Sequence, residues 1–306
     1  MFYSIFTCKS ETSVFSRQTA PACRVAISRC LFVVIISALM LLLTASHVSA
    51  GLMVYPARVV FEKNQRAAQL ELINNSDETA TYRISLVNRR MSETGGFSAI
   101  ESPAPGEQFA DPMLRYSPRQ VTLAPGEGQV VRVMLRKPSG LAPGEYRSHL
   151  QFSKQPNIKK QTDIDAQSTL DDGEIGVTLT ALVGISIPVI VRHGKTAATV
   201  SLSNLELQKP ADGQPPVLSV CMERSGNRSI YGNLAVTFTP QGGAEQEIAR
   251  ADGVAVYTPN PLRRVKIVLH PGTTGLALKH GTLRAIYRER PEAGGKLLAE
   301  TAIELP

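Results

Sequence analysis

The chain has 306 residues, a formal net charge of +7 at pH 7, 43% hydrophobic and 19% charged residues, four cysteines and no tryptophan. No dense Lys/Arg block with interleaved aromatic residues occurs, which argues against a nucleic-acid partner. The length suits a leader followed by two domains of ordinary size.

Residues 1–29 carry Lys9, Arg17, Arg24 and Arg29 against a single acid, Glu11. An apolar run follows, CLFVVIISALMLLLTASHVSA, and ends in the small residues Val48, Ser49 and Ala50. A basic start, an apolar centre and a small-x-small end describe a secretory signal peptide over residues 1–50, cleaved after Ala50. The alternative is an uncleaved anchor, because residues 31–43 are very apolar, but the run is short for a spanning helix of about 20 residues. The long charged region ahead of it suggests that translation starts further along the chain. Cleavage removes four basic residues and one acidic one, lowering the charge from +7 to +4 over the remaining 256 residues. It also removes Cys8, Cys23 and Cys30, so no internal disulfide is possible. Cys221, in VLSVCM, reads as a small apolar residue of a buried strand.

From residue 51 onward the pattern is β. AAQLEL sets Ala68, Leu70 and Leu72 against Gln69 and Glu71, and TYRISL sets Tyr82, Ile84 and Leu86 against Arg83 and Ser85. QVVRVMLRK sets Val131, Val133 and Leu135 against Arg132 and Arg136. YRSHLQF sets Tyr146, Ser148, Leu150 and Phe152 against Arg147, His149 and Gln151. Each is expected to be a strand with one face on a core. Turn signals at Asn74-Asn75-Ser76-Asp77, Thr94-Gly95-Gly96, Ala124-Pro125-Gly126 and Ala142-Pro143-Gly144 separate them, which points to an antiparallel sandwich. Residues 153–174 are polar without a period and read as a long loop.

The next segment is IGVTLTALVGISIPVIV, residues 175–191, in which all nine odd positions from Ile175 to Val191 are apolar. A strand that long would span about 50 Å at about 3.3 Å per residue, whereas strands usually run about 5–6 residues. Pro188 favours an edge or a bulge, because proline cannot donate to a ladder. An apolar edge suits pairing with a partner chain that lacks a strand. A strand that switches sheets, or crosses into a second domain and is covered throughout, fits the pattern equally well. Arg192-His193-Gly194-Lys195 forms a hinge. A second run of strands then fills residues 199–288, with a last short one near LLAETAIEL.

Chemistry is sparse. His149, His193, His270 and His280 have no metal-ligand spacing with one another or with cysteine. No nucleophile elbow, phosphate loop or dinucleotide fingerprint occurs. Neither catalytic residues nor a metal or cofactor is expected. Two glycosylation triplets, at Asn74 and Asn227, are short enough to arise by chance.

Several of these segments, in order, have a familiar look. VYPARVVFE, YSPRQVTLAPGEGQVVRVML, LAPGEYRSHLQF and the long alternating strand together resemble the periplasmic chaperones of chaperone–usher pilus assembly. The resemblance is good over residues 51–194 and loose beyond. It implies an all-β fold of two immunoglobulin-like sandwiches, residues 51–194 and 195–306, in the periplasm, without a stable membrane anchor after processing. It implies pilus or fimbrial subunits and an outer-membrane usher as partners. The chaperone lends a strand to a subunit that lacks one: Leu179, Ala181 and Val183 match the family's central donor residues, and Ile175 and Val177 extend that face. Arg58 matches one of two basic residues that hold the subunit's C-terminal carboxylate. On its residues alone it reads as an ordinary exposed strand residue. The second, usually a lysine, falls on Pro188, so another cation is needed; Arg192, Arg132 and Arg147 are the candidates. The rival reading is a structural or adhesive sandwich of a surface assembly. Such a subunit should carry a detachable alternating extension at its N-terminus, whereas the alternating strand here is internal.

Overall fold

The computed structural model describes residues 51–156, 184–208, 214–270 and 278–306. The fold is all-β, two immunoglobulin-like sandwiches in succession. Among the described residues no helix is long and apolar enough to cross a membrane.

The first sandwich runs through β1 (Leu52–Tyr55), β2 (Val59–Phe61), β3 (Ala67–Asn74), β4 (Ala80–Val87), the short pair β5 (Arg89–Met91) and β6 (Phe97–Ala99), β7 (Leu114–Ser117), β8 (Gln120–Leu123), β9 (Gly128–Leu135), β10 (Gly144–Lys154) and β11 (Gly184–His193). One sheet has the order β1-β3-β9-β7 and the other β2-β11-β10-β4-β8. The alternation read from the sequence sets the inward faces: Leu70 and Leu72, Tyr82 and Ile84, Val131, Val133 and Leu135, and Leu150 and Phe152 all enter one core. Each large aliphatic side chain buried there contributes about 1.5–3 kcal/mol. The Tyr116 hydroxyl donates to the Ile84 carbonyl at 3.0 Å, linking the two sheets across the core.

Two local readings change. The strand YRSHLQF was expected to be buried on one face only, yet Arg147 and His149 on its polar face are also buried: Tyr257 of the second sandwich lies against Arg147, and Phe97 of the β5–β6 hairpin against His149. The triplet at Asn74 is structural. Its amide nitrogen donates to the carbonyls of Glu78 (2.8 Å) and Leu123 (2.9 Å), and its oxygen accepts from the Ser76 hydroxyl at 2.6 Å. A fully buried asparagine used on both sides of its amide closes the turn after β3.

Of the long strand expected over residues 175–191, β11 is the described part; residues 157–183 lie outside it. Ile187, Val189 and Val191 enter the first core, with Ile185 packed against it. Pro188 sits opposite His149 of β10. On its other side β11 meets β2 in parallel only from Val189 to Val191. Pro188 therefore occupies a stretch with a neighbour on one side, where a missing N–H is tolerated.

The second sandwich runs through β12 (Ala198–Gln208), β13 (Val217–Gly226), β14 (Ile230–Pro240), β15 (Gln246–Val256), β16 (Leu262–Val268), β17 (Gly281–Arg288) and β18 (Leu297–Leu305). Its sheets are β12-β13-β16 and β15-β14-β17-β18. Cys221 is a free, buried cysteine on β13. At the join, Gly194 has φ +65°, and a Cβ there would lie 2.8 Å from Pro143, so the turn requires glycine. The Asn227 side chain clasps the same segment, accepting from the Ala197 N–H at 2.9 Å and donating to the Lys195 carbonyl at 3.1 Å.

Candidate functional site

Met91, Ile190, Ala255 and Tyr257 form a small buried cluster that joins the two sandwiches, with Val60 and Tyr231 against it. Ile190 reaches it from the face of β11 opposite to Val189 and Val191. Beside this cluster the Glu145 carboxylate is fully buried. It accepts from the Ser229 hydroxyl, from the Ser229 N–H at 3.2 Å and from Arg192 Nε at 3.1 Å. Arg224 arranges the loop that carries Tyr257. Its guanidinium donates to the carbonyls of Asn260 (3.0 Å), Pro259 (3.3 Å), Gly226 (2.7 Å) and Arg228 (3.0 Å).

Two arginines converge on that loop. Arg58, between β1 and β2, has its guanidinium carbon 4.0 Å from the centre of the Tyr231 ring and 5.2 Å from that of Tyr257. Arg147 of β10 stacks on Tyr257 at 4.2 Å and donates from Nη2 to the Arg89 carbonyl at 3.2 Å. Four guanidinium nitrogens (Nη1 and Nη2 of Arg58, Nε and Nη1 of Arg147) are shielded from water and have no hydrogen-bond partner among the described residues. The nearby acids are already engaged, Glu145 as above and Glu107 by both Arg90 nitrogens at 2.7 and 2.8 Å. A ring face offers a cation up to about 2 kcal/mol when desolvated. It accepts no strong hydrogen bond, and each buried donor left unmade costs about 1–3 kcal/mol. The cluster is therefore short of acceptors rather than short of cations.

The titration behaviour agrees. Burial pushes the Arg147 guanidinium down, and the charge of Arg58 adds to that against Tyr257, Glu145 and Glu107. Burial, then the charges of Arg147, Arg89 and Arg58, lower His149 to about 3, so its imidazole is neutral at neutral pH. Burial raises the Tyr257 phenol, which keeps it uncharged.

The residues singled out in the sequence fall into three groups. Arg58 and Arg147 come together. Arg192 is committed elsewhere, ion-paired with Glu145 and Glu62, and Arg132 lies exposed on the outer face of β9, between Gln69 and Ser117. Ile175, Val177, Leu179, Ala181 and Val183 lie outside the described residues. Tyr231, Tyr257 and His149 were not foreseen as parts of the site. The one local signal for His149 was its place beside Arg147 on the polar face of a single strand.

No family model matches the chain, and no curated protein matches it in sequence. Among solved structures, it is similar to a chaperone–tip adhesin complex of CFA/I fimbriae biogenesis, at 12% identity and a TM-score of 0.41, covering 84% of this chain and 99% of that one. It is similar to the CupB2 chaperone of Pseudomonas aeruginosa, at 12% identity and a TM-score of 0.41, covering 83% of this chain and 100% of that one. It is also similar to the CsuC–CsuE chaperone–tip adhesion subunit pre-assembly complex of the archaic chaperone–usher Csu pili of Acinetobacter baumannii, at 13% identity and a TM-score of 0.39, covering 84% and 98%. The solved structures to which this chain is similar are thus chaperones of pilus and fimbrial systems.

Proposed function

We propose that the protein is a periplasmic chaperone that binds pilus or fimbrial subunits and passes them to an outer-membrane usher. The observation that carries this reading is the Arg58–Arg147 pair. Two cations from separate elements close on one ring with four nitrogens lacking acceptors. A carboxylate offers about four lone-pair sites on two oxygens. A subunit's C-terminal carboxylate is the ligand that supplies them, and Arg147 takes the part for which Pro188 leaves no cation. Because the nitrogens are shielded, the carboxylate enters as a covering side chain moves aside. Tyr231, against Arg58 and hydrogen-bonded to Arg290 at 3.1 Å, is such a cover.

The rest of the reading follows the chain. Processing after Ala50 releases residues 51–306. Residues 51–194 form the chaperone domain and 195–306 the second domain. The odd positions that fill the first core along β11 continue in sequence as Val183, Ala181, Leu179, Val177 and Ile175, and this continuation is lent to the subunit as a strand. No cofactor, metal or catalytic step is part of the mechanism.

The test is co-purification. The tagged protein is exported, recovered from the periplasm and analysed by mass spectrometry for bound fimbrial subunits. Arg58→Ala, Arg147→Ala and Leu179→Asp should each lose the subunit while staying folded. Thr180→Ser, on the opposite face of the same segment, should retain it. Subunit capture unchanged in both arginine variants would refute the reading.

A further inference from the structure

Outside the paired arginines, the β5–β6 hairpin is the feature that the reading above leaves unused. It belongs to the first sandwich but is pinned to the second. Asn260 Nδ2 donates to the Met91 carbonyl at 2.7 Å, and the Arg264 N–H donates to the Glu93 carbonyl at 2.7 Å. Arg264 Nε also meets the Glu93 carboxylate at 3.3 Å. Gly95, at φ +89°, lies against Arg263, where a Cβ would come within 2.5 Å of the guanidinium. Met91 is buried beside Tyr257 and Ile190.

On this fixed hairpin Phe97 remains 44% exposed. Its ring stands edge-on to His149, with centroids 5.5 Å apart and planes at 71°, and lies 6.0 Å from Tyr257. Tyr257 is the ring on which Arg147 stacks and which Arg58 approaches. An aromatic side chain half in water, set against the ring on which the two cations meet, presents a wall to what the cations bind. His149 behind it is neutral, so the wall carries no charge there.

We propose that Phe97 contacts the last side chain of the bound subunit and makes the site selective for a C-terminal residue that is aromatic or bulky and apolar. The inference rests on the carboxylate reading and names the residue that bears the carboxylate. The covalent geometry fits it, since a terminal side chain grows from the atom bonded to the carboxylate carbon, about 1.5 Å away. A group fixed at the guanidinium nitrogens therefore sets its side chain down beside the Tyr257 ring, which Phe97 also borders at 6.0 Å.

The experiment uses alternating Val/Thr peptides that differ only at the last residue, Phe or Ala, each as free acid and as amide. Affinities are measured by fluorescence anisotropy on the processed protein and on Phe97→Ala and Phe97→Tyr. The Phe acid should bind the native protein roughly five-fold or more tighter than the Ala acid, the gain expected of one added aromatic contact. The ratio should fall to about one in Phe97→Ala and persist in Phe97→Tyr, while the Ala acid binds all three alike. A ratio that survives in Phe97→Ala, or a ratio of one in the native protein, overturns the selectivity while the carboxylate reading stands. Equal weakening of both acids in Phe97→Ala, with the ratio kept, also overturns it by reducing Phe97 to a structural role. Equal binding of acids and amides overturns the carboxylate reading itself, and no binding by any peptide overturns both.

Discussion

Arg147→Met exchanges a buried guanidinium for an apolar side chain of similar reach, and the structure lets the cost and the gain be set side by side. The substitution loses the stacking on Tyr257, about 1–2 kcal/mol, and one hydrogen bond to the Arg89 carbonyl, about 1 kcal/mol. It relieves two buried nitrogens without partners, at about 1–3 kcal/mol each. Taken at their mid-values these terms favour the variant by about 1.5 kcal/mol, in line with the result often found when buried charged groups are replaced by well-packed apolar ones. For a chain of this size that is a rise in Tm of roughly 3–6 °C. Urea unfolding of residues 51–306 at pH 7, with calorimetry alongside, measures it. Arg192→Met is the control: Arg192 is paired with Glu145 and Glu62, and its removal leaves a buried carboxylate short of its cation. That variant should lose about 3–5 kcal/mol. The same substitution at two arginines on neighbouring strands should thus have opposite signs. A loss above about 1 kcal/mol in Arg147→Met would refute the reasoning, because it would mean that its nitrogens are satisfied.

Two further outcomes follow from the same region and from the first sandwich. His149 titrates at about 3 when folded against 6.5 unfolded. The unfolded chain alone takes up the proton between those values, so stability falls as pH drops from 6.5 towards 3, by about 1.4 kcal/mol per unit from this group. His149→Gln should remove that share, losing about 2–3 kcal/mol less than the native protein between pH 7 and 4.5 in urea titrations; parallel losses would contradict it. Asn74→Ala removes bonds to Glu78, Leu123 and Ser76 from a buried turn and should cost about 2–4 kcal/mol by the same assay. A change below about 1 kcal/mol would show that the turn after β3 holds without its amide.

The sheets were legible because a period of two decides which face is buried, and Leu70, Leu72, Val131 and Val133 follow it without exception. Pro188 also spoke truly of its surroundings, a stretch of strand with one neighbour. The polar face of β10 did not, since Arg147 and His149 look solvated by pattern, yet Tyr257, more than a hundred residues away, lies against the first and Phe97, about fifty residues away, against the second. For the same reason the site was half legible. Arg58 came from resemblance, Arg147 was one of three candidates, and nothing local separates it from Arg192. The difference is made by Glu62 and Glu145, which engage one arginine and leave the other with ring faces. Tyr231 carries no pattern of its own, because its role depends on a partner that arrives from the other sandwich.

That dependence has a consequence for the order of events. The cations belong to the first sandwich and the rings that shelter them to the second. Two opposite charges about 4 Å apart attract by about 1 kcal/mol in bulk water and about 4 kcal/mol in surroundings of protein-like polarisability. A nascent chain with only its first sandwich formed would hold an anion at Arg58 and Arg147 in the weaker regime, at roughly one-hundredth of the final affinity or less. On the proposed carboxylate reading, the arrival of the second sandwich with Tyr257 is what converts two wet arginines into a tight grip. On that reading, the molecule becomes able to grip another protein's chain end only after its own second sandwich is in place.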